Sequence, residues 1–336
     1  MAGDEDIPGK RPTIYDLARI AGTSASAVSS VLSGTWKKRR ISAQLAERIS
    51  RVAEEQGYSL NLQASLLRRE RSRIIGMIIP KYDNRYFGAI AEQFEAMARA
   101  RGLFPVITCT RREPELEYEA ARQMMSYQAE CLIVTGATDP DRIAELCAAT
   151  GVRAINLDLP GTRMPSVVSD NFAGAQELTR VILSRTHEAF GRRAPLYFIG
   201  GRPQDHNTRE RRRGFMSAHA EIGLRVPDGN SIVRGYSADK TAAALAELGI
   251  PHGSGVFVNS TIALEGFVRW LRAQSPPLEL RFGCFDWDPF AAVHPQNVGM
   301  MQQDVGAMLS RVFEFIQSAP NGAPTVEVPC RFRALD

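Results

Sequence analysis

The sequence predicts an α/β protein: a three-helix helix-turn-helix headpiece, then a two-lobed body of parallel sheets. Three observations carry this. Residues 13–34 read as two short helices joined by a tight turn, with room for a third helix behind them. From residue 74 onward, buried apolar strands alternate with amphipathic helices. The alternation then repeats, giving two consecutive halves, each a parallel sheet with helices on both faces.

The headpiece can be followed residue by residue. Thr13 is placed to N-cap the first helix, with Asp16 three positions on, close to a capping box. Ile14, Leu17, Ala18 and Ala21 fall on one helical face. Gly22 stands where the helix must stop and the chain must turn. Ser24 is placed to cap a second helix, in which Val28, Val31 and Leu32 face inward. Ser42 caps a third, with Leu45, Ile49, Val52 and Ala53 as its apolar stripe and Gly57 as its stop. Two helices of this size with small polar side chains outward on the second are the shape that enters a DNA major groove.

The body begins with the apolar strand 74–80, and a helix with Ile90, Phe94 and Met97 on one face follows. Strands are expected at 104–108, 131–135 and 154–157, with helices near 116–126 and 142–149 between them. The second series runs from a helix at 173–184 through strands at 196–199, 231–234, 255–258 and 281–285. Its other helices are expected near 210–221, 238–248 and 262–273. Strand 298–301 and helix 304–317 are expected to return to the first lobe.

The chain has 336 residues, long enough for two or three domains with real cores. No apolar run is long enough to cross a bilayer, and the polar, acidic start has no apolar h-region, so a cytoplasmic protein is expected. The five cysteines are scattered without CxxC spacing and read as buried thiols, neither a zinc site nor a disulfide frame. Charge is unevenly spread. Residues 1–73 hold 13 Lys and Arg against 8 Asp and Glu, and the rest holds 28 against 29. Three of those eight acids lie in the first six residues. A basic module on a near-neutral body suits a phosphate-backbone partner.

The run Thr13-Ile14-Tyr15-Asp16-Leu17-Ala18, then Ala21-Gly22-Thr23-Ser24, then Ala27-Val28-Ser29-Ser30-Val31-Leu32-Ser33-Gly34 resembles the headpiece of the lac repressor family. The likeness continues through Gly57-Tyr58-Ser59-Leu60-Asn61 and a hinge at 64–67, and covers about 11–333. The resemblance implies a disordered tail at 1–10, a headpiece at 11–59, a hinge helix and linker at 60–73, and a two-lobed body of the type I periplasmic-binding-protein kind at 74–336. Lobe one is then about 74–168 and 301–325, and lobe two about 169–300 and 326–333. The function implied is a DNA-binding repressor, a homodimer or a tetramer built from it, controlled by a sugar or sugar-phosphate effector without cofactor or metal.

The resemblance also places DNA-contacting residues. Thr13 and Ser24 stand at the helix starts, Ala25, Ser26 and Ser30 at base-reading positions, and Ser29 against phosphate. Ala and Ser lack the bidentate discrimination of Arg or Gln. Lys37, Lys38, Arg39 and Arg40 form a longer basic linker than most members carry, similar to the fructose repressor (catabolite repressor-activator) branch, and are expected on phosphates. In the hinge, Leu67 matches the apolar wedge that opens a minor-groove step, with Asn61 and Ala64 on the inner side.

Ligands of such folds bind at the carboxyl ends of strands. Asp83, Asn84 and Tyr86 follow the first strand, Thr135 the third and Asp158 the fourth. By resemblance, Arg211, Asn259 and Asp286 match effector-binding residues, and Tyr236 and Trp287 can stack on a sugar ring. The run Arg209-Glu210-Arg211-Arg212-Arg213 suggests an anionic effector such as a fructose phosphate. Two other readings explain the body alone: a sugar-binding protein, or a sugar-modifying enzyme, with an unrelated helical extension. Gly200-Gly201-Arg202-Pro203 is not GxGxxG, however, and the sequence has no P-loop, nucleophile elbow or HExxH. Both readings leave residues 11–73 unexplained.

Overall fold

The computed structural model describes residues 12–58 and 72–335, in two compact units divided between Ser72 and Arg73. The hinge residues Asn61, Ala64 and Leu67 lie outside the described residues.

The first unit is built from α1 (Ile14–Ile20), α2 (Ala25–Leu32) and α3 (Ala43–Glu55). Its starts are set by hydroxyl caps. The Asp16 amide donates to Thr13 Oγ1 at 3.3 Å while the Thr13 amide donates to Asp16 Oδ2 at 2.8 Å, a complete capping box. Ser24 accepts from the Ala27 amide and Ser42 from the Leu45 amide. Gly22, at φ +61°, makes the left-handed turn between α1 and α2. Leu17, Val28, Val31, Ile49 and Val52 meet in a shared core, and Trp36 and Tyr58 pack against it.

The second unit holds two sheets. The first contains β1 (Ile74–Ile79), β2 (Phe104–Cys109), β3 (Cys131–Thr135), β4 (Arg153–Leu157), β5 (Ser166–Ser169) and β6 (Thr325–Val328), in the order β6-β5-β4-β3-β1-β2, all parallel. Its helices are α4 (Arg85–Ala100), α5 (Pro114–Ser126), α6 (Pro140–Thr150) and α7 (Val305–Gln317). The second contains β7 (Tyr197–Ile199), β8 (Ser231–Ile232), β9 (Gly255–Val258), β10 (Arg281–Phe285), β11 (Asn297–Gln302) and β12 (Arg331–Ala334), in the order β12-β11-β10-β9-β7-β8. Only β12 is antiparallel. Its main helices are α8 (Asn171–Phe190), α9 (His206–Glu221), α10 (Ala238–Leu248) and α11 (Thr261–Arg272).

Two strands join sheets other than the expected ones. β11 lies beside β10 in the second sheet, with Met300 opposite Cys284 and Met301 opposite Phe285. It does not return to the first lobe. β6 pairs with β5 in the first sheet, Thr325 opposite Ser166 and Val328 opposite Ser169, so residues 326–328 belong to lobe one. Helix α7 does return, burying Met308, Leu309, Val312 and Phe313 in the first-lobe core. The chain therefore crosses between lobes after β5, after β11 and after β6.

Close packing of α9 on α8 aims the functional helix. A Cβ on Gly214 would stand 2.2 Å from the Phe172 carbonyl oxygen. Gly214→Ala is expected to force the helices apart and destabilise the body by about 2–3 kcal/mol, read as a lower urea midpoint. An unchanged midpoint would mean that α9 is free to move.

Burial pushes the Cys131 and Cys147 thiols up to about 12, so they stay protonated, while Cys109 and Cys330 are only partly buried. Among the described residues no helix is long and apolar enough to cross a membrane.

Candidate effector cleft and nucleic-acid interface

The two sheets present equivalent strand ends to each other. β4 and β10 hold the same place in the two sheet orders, and each ends in an aspartate with left-handed backbone, Asp158 at φ +75° and Asp286 at φ +82°. Such a backbone is uncommon away from glycine and clusters at functional sites. Both carboxylates are nearly buried, at 3% and 9% exposure. Each lobe thus brings one carboxylate to the shared cleft.

Each acid is held from several sides. Asp158 Oδ1 accepts from Tyr86 Oη at 3.1 Å and from Asn207 Nδ2 at 2.9 Å, the second across the lobes. Gln303, on the crossing after β11, donates to Asp286 Oδ1 and accepts from Ser169 Oγ at 2.7 Å. Burial pushes the Asp158 carboxyl up to about 6, opposed by the nearby Arg112. Burial raises Asp286 too, opposed by Arg211. The Tyr86 hydroxyl is raised well above its ordinary value, first by burial and then by the two acids.

Arg211 is the buried cation of the site, at 3% exposure. Its Nε donates to Asn171 Oδ1 at 2.7 Å, its Nη1 donates to the Asn259 carbonyl at 2.6 Å, and its guanidinium lies 3.7 Å from the Phe285 ring centroid. Its neighbours Arg209, Arg212 and Arg213 are exposed, and Arg213 pairs with Glu210, so the arginine run gives one cation to the cleft.

Of the residues singled out from sequence, Asn84, Tyr86, Asp158, Arg211, Tyr236 and Asp286 line one narrow space between the lobes. Asn84 also caps α4 and donates to Thr261 Oγ1 of the other lobe at 3.3 Å. Tyr236 Oη donates to Asp205 Oδ2 at 2.7 Å. Four others stand outside the lining. Asp83 is turned to solvent beside Lys81. Thr135 is buried at the end of β3, its hydroxyl without a hydrogen-bond partner among the described residues. Asn259 is fully buried and donates to Thr208 Oγ1 at 3.4 Å. Trp287 packs on the second-lobe core with Arg333 above its ring. A strand-end position is thus necessary but does not decide which way the side chain turns.

Phe87, Arg112, Asn207, Ser260, Ile262 and Gln303 also line the space and escaped the sequence reading. Asn207 had a signal, since it sits one helical turn before Arg211. Arg112 follows the carboxyl end of β2, the same kind of position as the other strand-end residues. Gln303 was hidden by the wrong sheet for β11.

On the first unit, Thr13, Ser24 and Ser26 are exposed, and Ser29 and Ser30 partly so. Ser30 Oγ donates back to the Ser26 carbonyl at 2.8 Å, leaving it only acceptor capacity for a base edge. Ala25 packs partly against the headpiece core. Lys37, Lys38, Arg39 and Arg40 are all exposed on a turn anchored by Trp36, whose ring has Lys37 Nζ at 5.5 Å. Tyr15, missed from sequence, is 75% exposed on α1.

Known proteins share both units. The family described as bacterial regulatory proteins, lacI family, matches residues 13–61, and that of periplasmic binding proteins and the sugar-binding domain of the LacI family matches 72–248. The ribitol operon repressor of Klebsiella aerogenes is 62% identical over 193 residues, 57% of this chain and 72% of that protein. The fructose operon regulatory protein of Vibrio cholerae is 30% identical over 215 residues, 63% of this chain and 64% of that protein. A crystal structure of the lac repressor dimer bound to operator and an anti-inducer has the same fold, with TM-score 0.78 and 19% identity over 97% of this chain and 99% of that one. With a helix-turn-helix unit, a two-lobed body with an acid-lined cleft and these likenesses, the chain belongs to the LacI family of bacterial transcriptional regulators.

Proposed function

We propose that a small polyhydroxylated effector, a sugar, sugar alcohol or sugar phosphate, binds between the lobes and sets how tightly a homodimer holds operator DNA. The observation that carries this is the pair of facing carboxylates, Asp158 and Asp286, with Arg211 beside them. Carboxylates accept from paired hydroxyls, and a buried guanidinium donates to ring or carbonyl oxygens. The names of the relatives support a carbohydrate operon, the ribitol repressor most directly.

Lobe-to-lobe contacts already link the two halves. Besides Asn207 with Asp158, Arg85 Nε pairs with Asp288 at 2.8 Å. An effector that binds one lobe arrangement more tightly shifts the population toward it. In the proposed homodimer, the exposed Phe290 and Val293, at 76% and 81%, are apolar surface for a second copy. The headpiece lays α2 in the major groove, with the basic turn on phosphates. The chain is a regulator and not an enzyme, as its family consists of regulators.

A mobility-shift titration of operator fragments, with and without a panel of pentitols, pentoses and their phosphates, tests the proposal. One class is expected to change operator affinity about tenfold or more, within the usual range of allosteric coupling. A panel with no effect on DNA affinity would sink it.

A further inference from the structure

Two arginines beside Tyr236 of the cleft form no ion pair among the described residues, although Arg112 lies near enough to Asp158 to oppose the rise of its carboxyl. Arg112 follows β2 in lobe one and Arg202 precedes α9 in lobe two. Both guanidiniums converge on one ring: Arg112 lies 5.3 Å and Arg202 5.9 Å from the Tyr236 centroid, and Arg112 is also 5.8 Å from the Phe87 ring of its own lobe. Arg112 therefore spans the cleft between an aromatic ring of each lobe. Among the described residues neither guanidinium makes a hydrogen bond or ion pair, although both side chains are partly buried.

The backbone holds Arg112 there under strain. Arg111 and Arg112 are consecutive non-glycine residues at φ +54° and +58°. Each such residue is held only where the surroundings over-determine it, a common mark of ligand clamps. The acids close by are already engaged. Asp205 caps α9 and accepts from Tyr236 and Thr208, and Asp158 accepts from Tyr86 and Asn207. Stacking on rings orients a guanidinium but leaves its in-plane donors free, and those donors match the oxygens of a phosphate or carboxylate.

We infer that Arg112 and Arg202 form an anion seat at the cleft mouth, so that the effector is a polyol bearing a phosphate or carboxylate at one end. The hydroxyl chain then reaches inward to Asp158 and Asp286, and the anion bridges a cation from each lobe. Occupancy thereby ties closure of the lobes to the charged end. This rests on the cleft being the effector site.

Calorimetry on the full chain tests it, with ribitol, ribitol 5-phosphate, ribonate and inorganic phosphate as probes. One anionic polyol is expected to bind about a hundredfold more tightly than ribitol, as two charge-assisted contacts would supply. Arg202→Gln, outside the cleft lining, is expected to weaken that binding about tenfold and to leave ribitol within about threefold, and Arg112→Gln to weaken the anionic polyol about tenfold more than it weakens ribitol. Binding of the anionic polyol by the unaltered protein should also weaken as salt rises, a readout independent of the variants. Whether the phosphate or the carboxylate is preferred names the anion. Ribitol binding as tightly as both anionic polyols, or losing as much as they do in the variants, overturns the seat alone, provided Asp286→Asn still weakens ribitol binding. No binding by any polyol overturns the cleft reading and the seat together.

Discussion

Replacing Lys37, Lys38, Arg39 and Arg40 together by Ser is expected to flatten the salt dependence of operator binding and to weaken binding about ten- to a thousandfold at physiological salt. Each cation lying on a phosphate releases about one counterion, so each removes roughly 0.9 from the slope of log affinity against log salt. The change should cost the fold little. All four side chains are exposed, none is ion-paired among the described residues, and Trp36 keeps the turn on the headpiece core. Loss of the Lys37–Trp36 contact costs about 0.5–1 kcal/mol. Arg40→Gly separates charge from strain, because Arg40 sits at φ +54°. It should remove one cation's share of the slope while keeping or raising thermal stability. A slope unchanged in the fourfold variant would show that the turn does not touch DNA.

Asp286→Asn is expected to weaken effector binding about a hundredfold while changing the stability of the free protein by less than about 1 kcal/mol. A carboxylate accepting from two hydroxyls makes charge-assisted bonds that an amide matches only in part. The amide oxygen still accepts from Gln303, and a buried charge is removed. Asp158 adds a pH signature. Its carboxyl is raised to about 6, above the ordinary carboxylate value near 4. The folded protein therefore holds that proton more tightly than the unfolded chain. Its contribution to stability is fully present below about pH 4 and is lost as pH rises through about 6. Effector hydroxyls favour the ionised form, so affinity should run the other way, rising between about pH 5 and 7. Calorimetry across that window measures it, and Asp158→Asn should flatten the curve. A pH-independent affinity in the unaltered protein would exclude Asp158 as an acceptor of effector hydroxyls.

The elements themselves were largely legible. Thr13, Ser24 and Ser42 announced three helix starts because capping is local, a hydroxyl bonding an amide three residues on. The strand ends announced Asp158, and likeness to family positions led to Asp286 and to the buried cation Arg211. The short strand β5 was missed, since Ser166-Val167-Val168-Ser169 is too brief for a periodic signal. Asn259 and Trp287 misled for a different reason. Both stand just past strands, yet their side chains turn into the second lobe, and nothing in their neighbours specifies that rotation.

By itself the sequence determined the headpiece, the order of strands and helices, and the presence of polar groups at strand ends. These follow from periodicity, capping and turn chemistry, all written within a few residues. The tertiary structure decided which sheet receives β11 and β6, because the largely buried β11 has no alternating face and β6 is a four-residue edge strand, so neither carries an address in its own residues. It also decided which strand-end residues share one space. Asp158 meets Asn207, and Arg112 meets Tyr236, only because three chain crossings bring the lobes face to face. Such contacts depend on distant backbone positions, which no local pattern encodes.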